Sequence, residues 1–198
     1  MYPESLEDLI ESFKLLPGIG EKTAERLAFY MLGLDDEKTE FFANSILTAK
    51  SKIHKCQICS NMTDKDVCNI CSSNDRDKSV LCIVEDSRSI FLFEKVGFFH
   101  GYYHVLENLI SPLDGINPED IGLEKLVKRI EESSFKEIII AVKPTIEGET
   151  TSLYIKKILE GLNIKITRIA SGVPLGADIE YVDSLTLERA LIDRKEIE

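Results

Sequence analysis

The sequence predicts an α/β protein in three parts: an N-terminal helical hairpin domain, a small four-cysteine module, and a larger domain with a mostly parallel sheet flanked by helices. Three observations carry this prediction. Apolar residues recur at helical spacing through residues 1–55, two Cys-x-x-Cys pairs fall within residues 56–78, and strand-like and helix-like segments alternate through residues 79–198.

Three helices are expected in the first part. Residues 5–14 form the first, with Ser5 and Asp8 as a start resembling a capping box, and the tight turn 16–20 precedes the second. The third begins at the acidic run 35–37 and extends to about residue 53. The apolar faces of the second and third helices comprise Ala24, Leu27, Ala28 and Met31, and Phe42, Ile46, Ala49 and Ile53, respectively.

From residue 79 onward, the alternation of segments predicts βαβ units around a parallel sheet. Residues 72–78 are interpreted as a linker into this part. The predicted strands are 80–85, 102–106, 136–142 and 164–170, and the predicted helices are 87–96, about 123–133, and 151–162.

Composition restricts the function classes. The chain has 198 residues, of which 43% are hydrophobic and 30% charged, as in ordinary globular proteins. No apolar run is long enough for a membrane helix, and the acidic N-terminus does not resemble a signal peptide, so a cytoplasmic location with reduced cysteines is expected. The net charge of −11 excludes a general electrostatic attraction to nucleic acid, so any DNA contact must depend on a few placed cations and backbone amides.

Four cysteines have the spacing of a structural zinc site: Cys56, Cys59, Cys68 and Cys71. Two Cys-x-x-Cys pairs complete a tetrahedral thiolate site with no open position, which stabilises structure and performs no chemistry. Redox-active pairs and fortuitous thiols are the alternatives. Cys82 lies inside an apolar strand and is expected to be a core residue.

The turn Leu16-Pro17-Gly18-Ile19-Gly20 and the residues after it resemble the helix-hairpin-helix motif of DNA-binding proteins. Gly18 and Gly20 allow the backbone to approach a phosphate at a helix start, and Lys22 and Arg26 share one helix face. A Walker A loop is rejected, because the lysine does not directly follow the second glycine and a helix precedes the turn. A plain helical hairpin with solvated charges remains the alternative.

Three glutamates are expected at the carboxyl ends of parallel strands, where ligands usually bind. Glu85 ends the first strand of the larger domain, and Glu147 and Glu149 follow the strand 136–142. The layout resembles the Toprim domain of topoisomerases and primases, although Glu-x-Glu replaces the usual Asp-x-Asp. Three carboxylates could hold Mg²⁺. The alternative is a solvated acidic rim.

Taken in order, these motifs resemble the RecR family of recombination mediators over essentially the whole chain. The most specific segments are 16–32, the four cysteines, 110–121, 144–150 and 171–191. Lys143 stands where the family frequently has asparagine, and Asn117 where glycine is usual.

The resemblance implies a ring-like homo-tetramer that encloses DNA and acts with RecO and RecF in loading RecA on single-stranded DNA. It implies that Lys22 and Arg26 touch DNA and that Glu147 and its neighbours lie in the region used for RecO contact. It also implies that the chain is not an enzyme. The competing hypothesis is a metal-dependent nuclease built on Glu85, Glu147 and Glu149.

Overall fold

The computed structural model describes residues 2–194 and residue 196. The chain divides into two compact units, residues 1–53 and residues 54–198. The α-helices are α1 (Glu4–Lys14), α2 (Glu21–Leu32), α3 (Asp36–Lys52), α4 (Asn69–Ser72), α5 (Ser87–Val96), α6 (Leu123–Glu131), α7 (Ile146–Ile158) and α8 (Ser184–Ile192). The strands are β1 (His54–Lys55), β2 (Met62–Thr63), β3 (Val80–Val84), β4 (Tyr102–Val105), β5 (Glu137–Ala141) and β6 (Lys165–Arg168).

The first unit contains α1, α2 and α3. Leu6 and Ile10 of α1 pack against Ala24 and Ala28 of α2, and these four side chains form the buried cluster of the unit. The small alanines let the two helices approach closely. The predicted capping box at the start of α1 was wrong: Pro3 precedes the helix, and no side chain caps it. Proline suits this position because a helix start needs no amide donor.

The apolar face predicted for α3 exists but does not enter the core of the unit. Asp35 caps the helix through a 2.8 Å bond from the Lys38 amide, as the acidic start predicts. No residue of α3 is buried: on the predicted face, Phe42 and Ile46 are 45% and 55% exposed, and outside it Phe41 and Leu47 are 75% and 67% exposed. Contiguous exposed apolar surface is typical of sites that contact other molecules.

The second unit contains a four-stranded parallel sheet with the order β4-β3-β5-β6, which confirms the predicted fold class. Both faces of β3, one of its two inner strands, are buried, as expected for a parallel sheet covered by helices. Leu81 and Ile83 face the larger core cluster with Leu126 and Ile130 of α6, whereas Cys82 and Val84 face a second cluster beneath Ile90 of α5.

Helix α7 begins five residues earlier than predicted, at Ile146 instead of residue 151. Thr145 caps it, accepting a hydrogen bond of 3.3 Å from the Gly148 amide. A Cβ atom on Gly148 would lie 1.9 Å from the carbonyl oxygen of Lys143, so only glycine allows the helix to start this close to the end of β5. Glu147 and Glu149 therefore lie in the first turn of a helix and not in a loop.

The cysteine-bearing segment packs against the α/β domain of the same unit. The Val105 amide donates to the carbonyl oxygen of Cys59 at 2.8 Å, and the Met62 amide donates to Ser87 Oγ at 3.0 Å. The segment interpreted as a linker, residues 72–78, also contacts this domain. Arg76 forms a bidentate ion pair with Glu94 at 2.7 and 2.9 Å. These contacts join the small module to the sheet.

The C-terminal segment of the second unit is largely exposed. It contains a short 3₁₀ helix (Ile179–Tyr181) and α8, and none of the apolar side chains described in these two elements is buried. In the part of the chain that the structure describes, no helix combines the length and apolar character that crossing a membrane requires.

Candidate functional site

The four predicted cysteines converge on one point. Their Sγ atoms all lie within 4.8 Å of one another, with Cys56, Cys59 and Cys68 buried and Cys71 half-buried. The first Cys-x-x-Cys pair lies in the turn between β1 and β2, and in the second pair Cys68 caps the one-turn helix α4, which contains Cys71. Ser60 adopts a left-handed conformation (φ 61°), which turns the chain sharply behind Cys59. Two short knuckles thus bring the four sulfur atoms together.

Backbone amides around the cluster point at sulfur. The Cys68 amide donates to Cys56 Sγ at 3.3 Å, and the Cys71 amide donates to Cys68 Sγ at 3.5 Å. Amide donors favour thiolate, the form of cysteine that binds metal ions.

Cys82 shows the contrast expected of a core thiol. It lies in β3, away from the other four, and burial raises its pKa to about 12. Among the described residues, the four clustered cysteines form the one group of His, Cys, Asp or Glu side chains whose ligand atoms converge as for a metal ion. The buried four-thiol arrangement fits structural zinc, with no position left open for a substrate.

The turn between α1 and α2 has an open surface. Gly18 has a φ of +82°, which disfavours any side chain there, and Gly20 precedes the first residue of α2. A Cβ atom on either glycine would meet nothing within 4 Å. No side chain caps the start of α2, so amides at the positive end of the helix dipole face open space. This geometry suits the approach of an anion.

Lys22 and Arg26, the two predicted DNA contacts, are both exposed on α2. They are four residues apart, on the face opposite Ala24 and Ala28 of the core. Lys14 is differently placed, because it bridges Glu11 and Glu21 at 2.7 and 2.8 Å. The structure thus places both predicted cations beside the glycine turn.

The three predicted carboxylates lie at the carboxyl ends of the strands but do not converge. Glu85 follows β3, and its Oε1 lies 2.9 Å from Lys143 Nζ. Because Lys143 is held by Glu85, the pKa of Lys143 is raised. A hydrogen bond with Thr145 lowers the pKa of Glu147, and the charge of Lys143 lowers it further. The ammonium group of Lys143 therefore already compensates part of the charge of Glu85 and Glu147.

Glu149 points to another set of partners. Its Oε1 lies 2.7 Å from Arg168 at the end of β6 and 3.4 Å from Arg189 of α8. Arg168 also lies 3.6 Å from Asp193, so the carboxylate links α7, β6 and the C-terminal segment. The prediction of three carboxylates around one Mg²⁺ receives no support from this arrangement.

Sequence reasoning missed the partners of a buried histidine and of a half-buried arginine. His104 is buried in β4, where desolvation and the charges of Arg129 and Lys125 lower its pKa to about 3. Arg76 lies over the ring of Tyr103, and the hydroxyl of Tyr103 donates to Glu94 at 2.8 Å. The apolar residues around His104 are the only local signal of its burial, because Lys125 and Arg129 lie 21 and 25 residues away in the sequence.

Two curated relatives align with the entire chain. A protein of Streptococcus uberis and one of Streptococcus equi subsp. equi, each named Recombination protein RecR, are both 47% identical over 197 residues, covering 100% of either partner. The chain belongs to the RecR family.

Four family models place RecR segments along the chain in the predicted order. They are the RecR helix-hairpin-helix (residues 6–50), the RecR four-cysteine zinc finger domain (53–73), the Toprim domain (79–170) and the RecR C-terminal segment (172–195). The zinc finger match covers all four clustered cysteines. The RecR helix-hairpin-helix match covers the glycine turn and both exposed cations, which suggests DNA binding.

Proposed function

We propose that this protein acts in recombinational DNA repair as a non-catalytic, DNA-binding scaffold. The observation that carries the proposal is the glycine turn, where an uncapped helix start, Lys22 and Arg26 lie together on an otherwise acidic chain. Such a site contacts phosphates without reading bases. The full-length similarity to recombination proteins supports the biological setting.

We further infer assembly into a ring-like homo-tetramer that surrounds DNA. One subunit with a pair of phosphate contacts would bind weakly, but several hairpins facing one hole act together through effective concentration. Uncovered apolar surface in each unit supports self-association: α3 in the first, and Leu175, Tyr181 and Leu185 in the C-terminal segment of the second. A single stable monomer mass at micromolar concentration and low salt, measured by light scattering, would exclude the ring.

The remaining acidic surface suits basic partner proteins. We propose that RecO binds near Glu147 of the Toprim domain and that, together with RecF, it uses the scaffold to help load RecA on single-stranded DNA in the cytoplasm. Glu147 is half-exposed and has a lowered pKa through its bond with Thr145, so it is available as a carboxylate. Glu147→Gln should weaken RecO binding in a pull-down and leave DNA affinity unchanged.

The test of DNA binding is fluorescence anisotropy of labelled duplex DNA across a salt series. Lys22→Ala/Arg26→Ala should lose most of its affinity, and the slope of log affinity against log salt should shrink by about 0.9 for each phosphate contact removed. Lys38→Ala is the matched control, because Lys38 is an exposed cation of the same unit already paired with Asp35 at 2.6 Å. Superimposable curves for the wild type and the double mutant would show that the hairpin is structural.

A Toprim-type nuclease is the second candidate, and the ion pairs argue against it. It requires a divalent cation at Glu85, Glu147 and Glu149, yet Lys143 pairs with Glu85 and two arginines pair with Glu149. Prolonged incubation of supercoiled DNA with Mg²⁺ or Mn²⁺ should give no nicking. Nicking by the wild type that disappears in Glu85→Ala would instead establish the nuclease.

A further inference from the structure

Helix α6 of the Toprim domain directs two cations at the zinc-finger cysteines. Lys125 Nζ lies 3.3 Å from the carbonyl oxygen of Cys56 and 3.0 Å from Ser60 Oγ, beside the first knuckle. Arg129 Nη2 lies 4.0 Å from Cys71 Sγ, beside the second. The two cations are four residues apart and therefore share one face of the helix. Both knuckles of the cysteine cluster are thus reached from one neighbouring element.

The guanidinium of Arg129 is held in this position by other groups. Its Nη1 donates to the carbonyl oxygen of Tyr103 at 2.6 Å and lies 3.4 Å from His104 Nδ1. Its central carbon lies 5.9 Å from the centre of the Phe135 ring. Within the described residues, neither Arg129 nor Lys125 forms a salt bridge with a carboxylate, whereas Lys128, between them on the helix, lies 3.9 Å from Glu132. Both cations are therefore placed to compensate negative charge on a neighbouring group.

The cysteines provide that charge. Four thiolates around one divalent zinc ion leave two negative charges uncompensated, and burial of three of the four sulfurs makes such charge costly. The amides of Cys68 and Cys71 supply part of the compensation. Hydrogen-bond donors around metal ligands orient them and adjust how strongly they bind.

We propose that Arg129 and Lys125 are positioning residues of the zinc site, compensating the charge of the zinc-bound thiolates from the Toprim domain. The proposal rests on zinc binding by the four cysteines. It assigns to α6 a role beyond core packing. The zinc finger reaches its full affinity for zinc only when it is packed against the Toprim domain. Cys71, the least buried ligand, lines a cavity of about 680 Å³ together with both cations, so Arg129 protects the sulfur that solvent and chelators reach most easily.

The first measurement is zinc transfer from the full-length, zinc-loaded protein to a chromogenic chelator. Arg129→Gln should release zinc about ten-fold faster, within the range known for groups that contact metal ligands. Lys125→Gln should show a smaller acceleration. Lys128→Gln is the matched control: it removes the same charge from an exposed position of the same helix, and its rate should equal that of the wild type.

The second measurement separates charge compensation from general stability, because Arg129 also bonds to Tyr103. In the cobalt-substituted protein, losing a cation beside Cys71 should move the thiolate-to-cobalt absorption band to lower energy. Arg129→Lys should keep the wild-type band position, since it retains the charge. If Arg129→Gln does not fold, both measurements are made on Lys125→Gln instead.

The proposal would be overturned if Arg129→Gln and Lys128→Gln released zinc at equal rates and had equal cobalt bands. If Arg129→Gln does not fold, the same comparison is made between Lys125→Gln and Lys128→Gln. Either result would leave the zinc site intact. A wild-type protein that binds no zinc at all would overturn the zinc assignment itself. The zinc content of the wild type, measured first, distinguishes the two failures.

Discussion

The two units of this RecR-family chain bury their apolar residues in opposite ways. The first unit has a buried cluster of four side chains, two of them alanines, and leaves every residue of α3 at the surface. The second unit buries both faces of a parallel sheet, and its larger core cluster includes Leu81, Ile138 and Leu126. The comparison teaches that the second unit covers both faces of its sheet with its own helices, whereas the first leaves the apolar residues of its third helix exposed.

The largest expected effect concerns the cysteine cluster of the second unit. Cys59→Ser should lose zinc and lower the free energy of unfolding of residues 54–198 by on the order of 5 kcal/mol, a part of the roughly 10–16 kcal/mol that zinc binding provides in zinc-finger peptides. The Cys59 carbonyl accepts a hydrogen bond from Val105, so the loss should extend into β4. Hydrogen exchange should show faster exchange in β4 and unchanged protection in α1 and α2.

Cys82→Ala is the control for this prediction. It removes a buried thiol from β3 of the same unit but leaves the cluster complete, so zinc content should be unchanged and the free energy of unfolding should fall by about 1 kcal/mol. Full zinc content and wild-type melting in Cys59→Ser would contradict the assignment of Cys59 as a ligand.

A smaller effect is expected from His104, the buried imidazole of the second unit. Burial lowers its pKa in the folded state to about 3, below the ordinary value of 6.5, so the unfolded state binds the proton more readily. The contribution of His104 to the free energy of unfolding is therefore retained above pH 6.5 and decreases as the pH falls toward 3. Between about pH 7 and about pH 5.5 this amounts to roughly 1 kcal/mol.

His104→Gln removes this titration and should flatten the pH dependence over that interval. The measurement is urea unfolding at both pH values, with zinc content checked at each. An equal loss of stability in the variant and the wild type would show that another group is responsible.

The smallest effect on folding, and the sharpest test of the comparison, is expected in α3. Phe41→Ser should change the folding free energy of the dissociated chain by less than about 0.5 kcal/mol, because its side chain is 75% exposed. The mass of the Phe41→Ser assembly, measured by light scattering at micromolar concentration, should nevertheless fall. The reason is that the exposed apolar residues of α3 are proposed to form an interface between copies. Lys38→Ala, on the polar start of the same helix, should leave the mass unchanged.

Local patterns were most reliable where one segment contains all the information. The predicted helix 87–96 matches α5 residue for residue, because Asp86 caps it through Ser89 and Gly97 ends it in a left-handed conformation. The predicted start of α7 was late by five residues. Thr145, Gly148 and the glutamates read as a loop in the sequence, and only the close approach to the Lys143 carbonyl explains the glycine.

The sequence by itself determined the family, the α/β class and the spacing of four thiols suited to one metal ion. These follow from motifs and periodicities that neighbouring residues fix, without reference to distant parts of the chain. Only the tertiary structure decided that Lys143 and Arg168 separate the three glutamates, that α3 covers no core, and that α6 supplies cations to the cysteines. The ion pairs and the contact with the cysteines join residues 19 to 58 positions apart, which come together only when the sheet and its helices have packed.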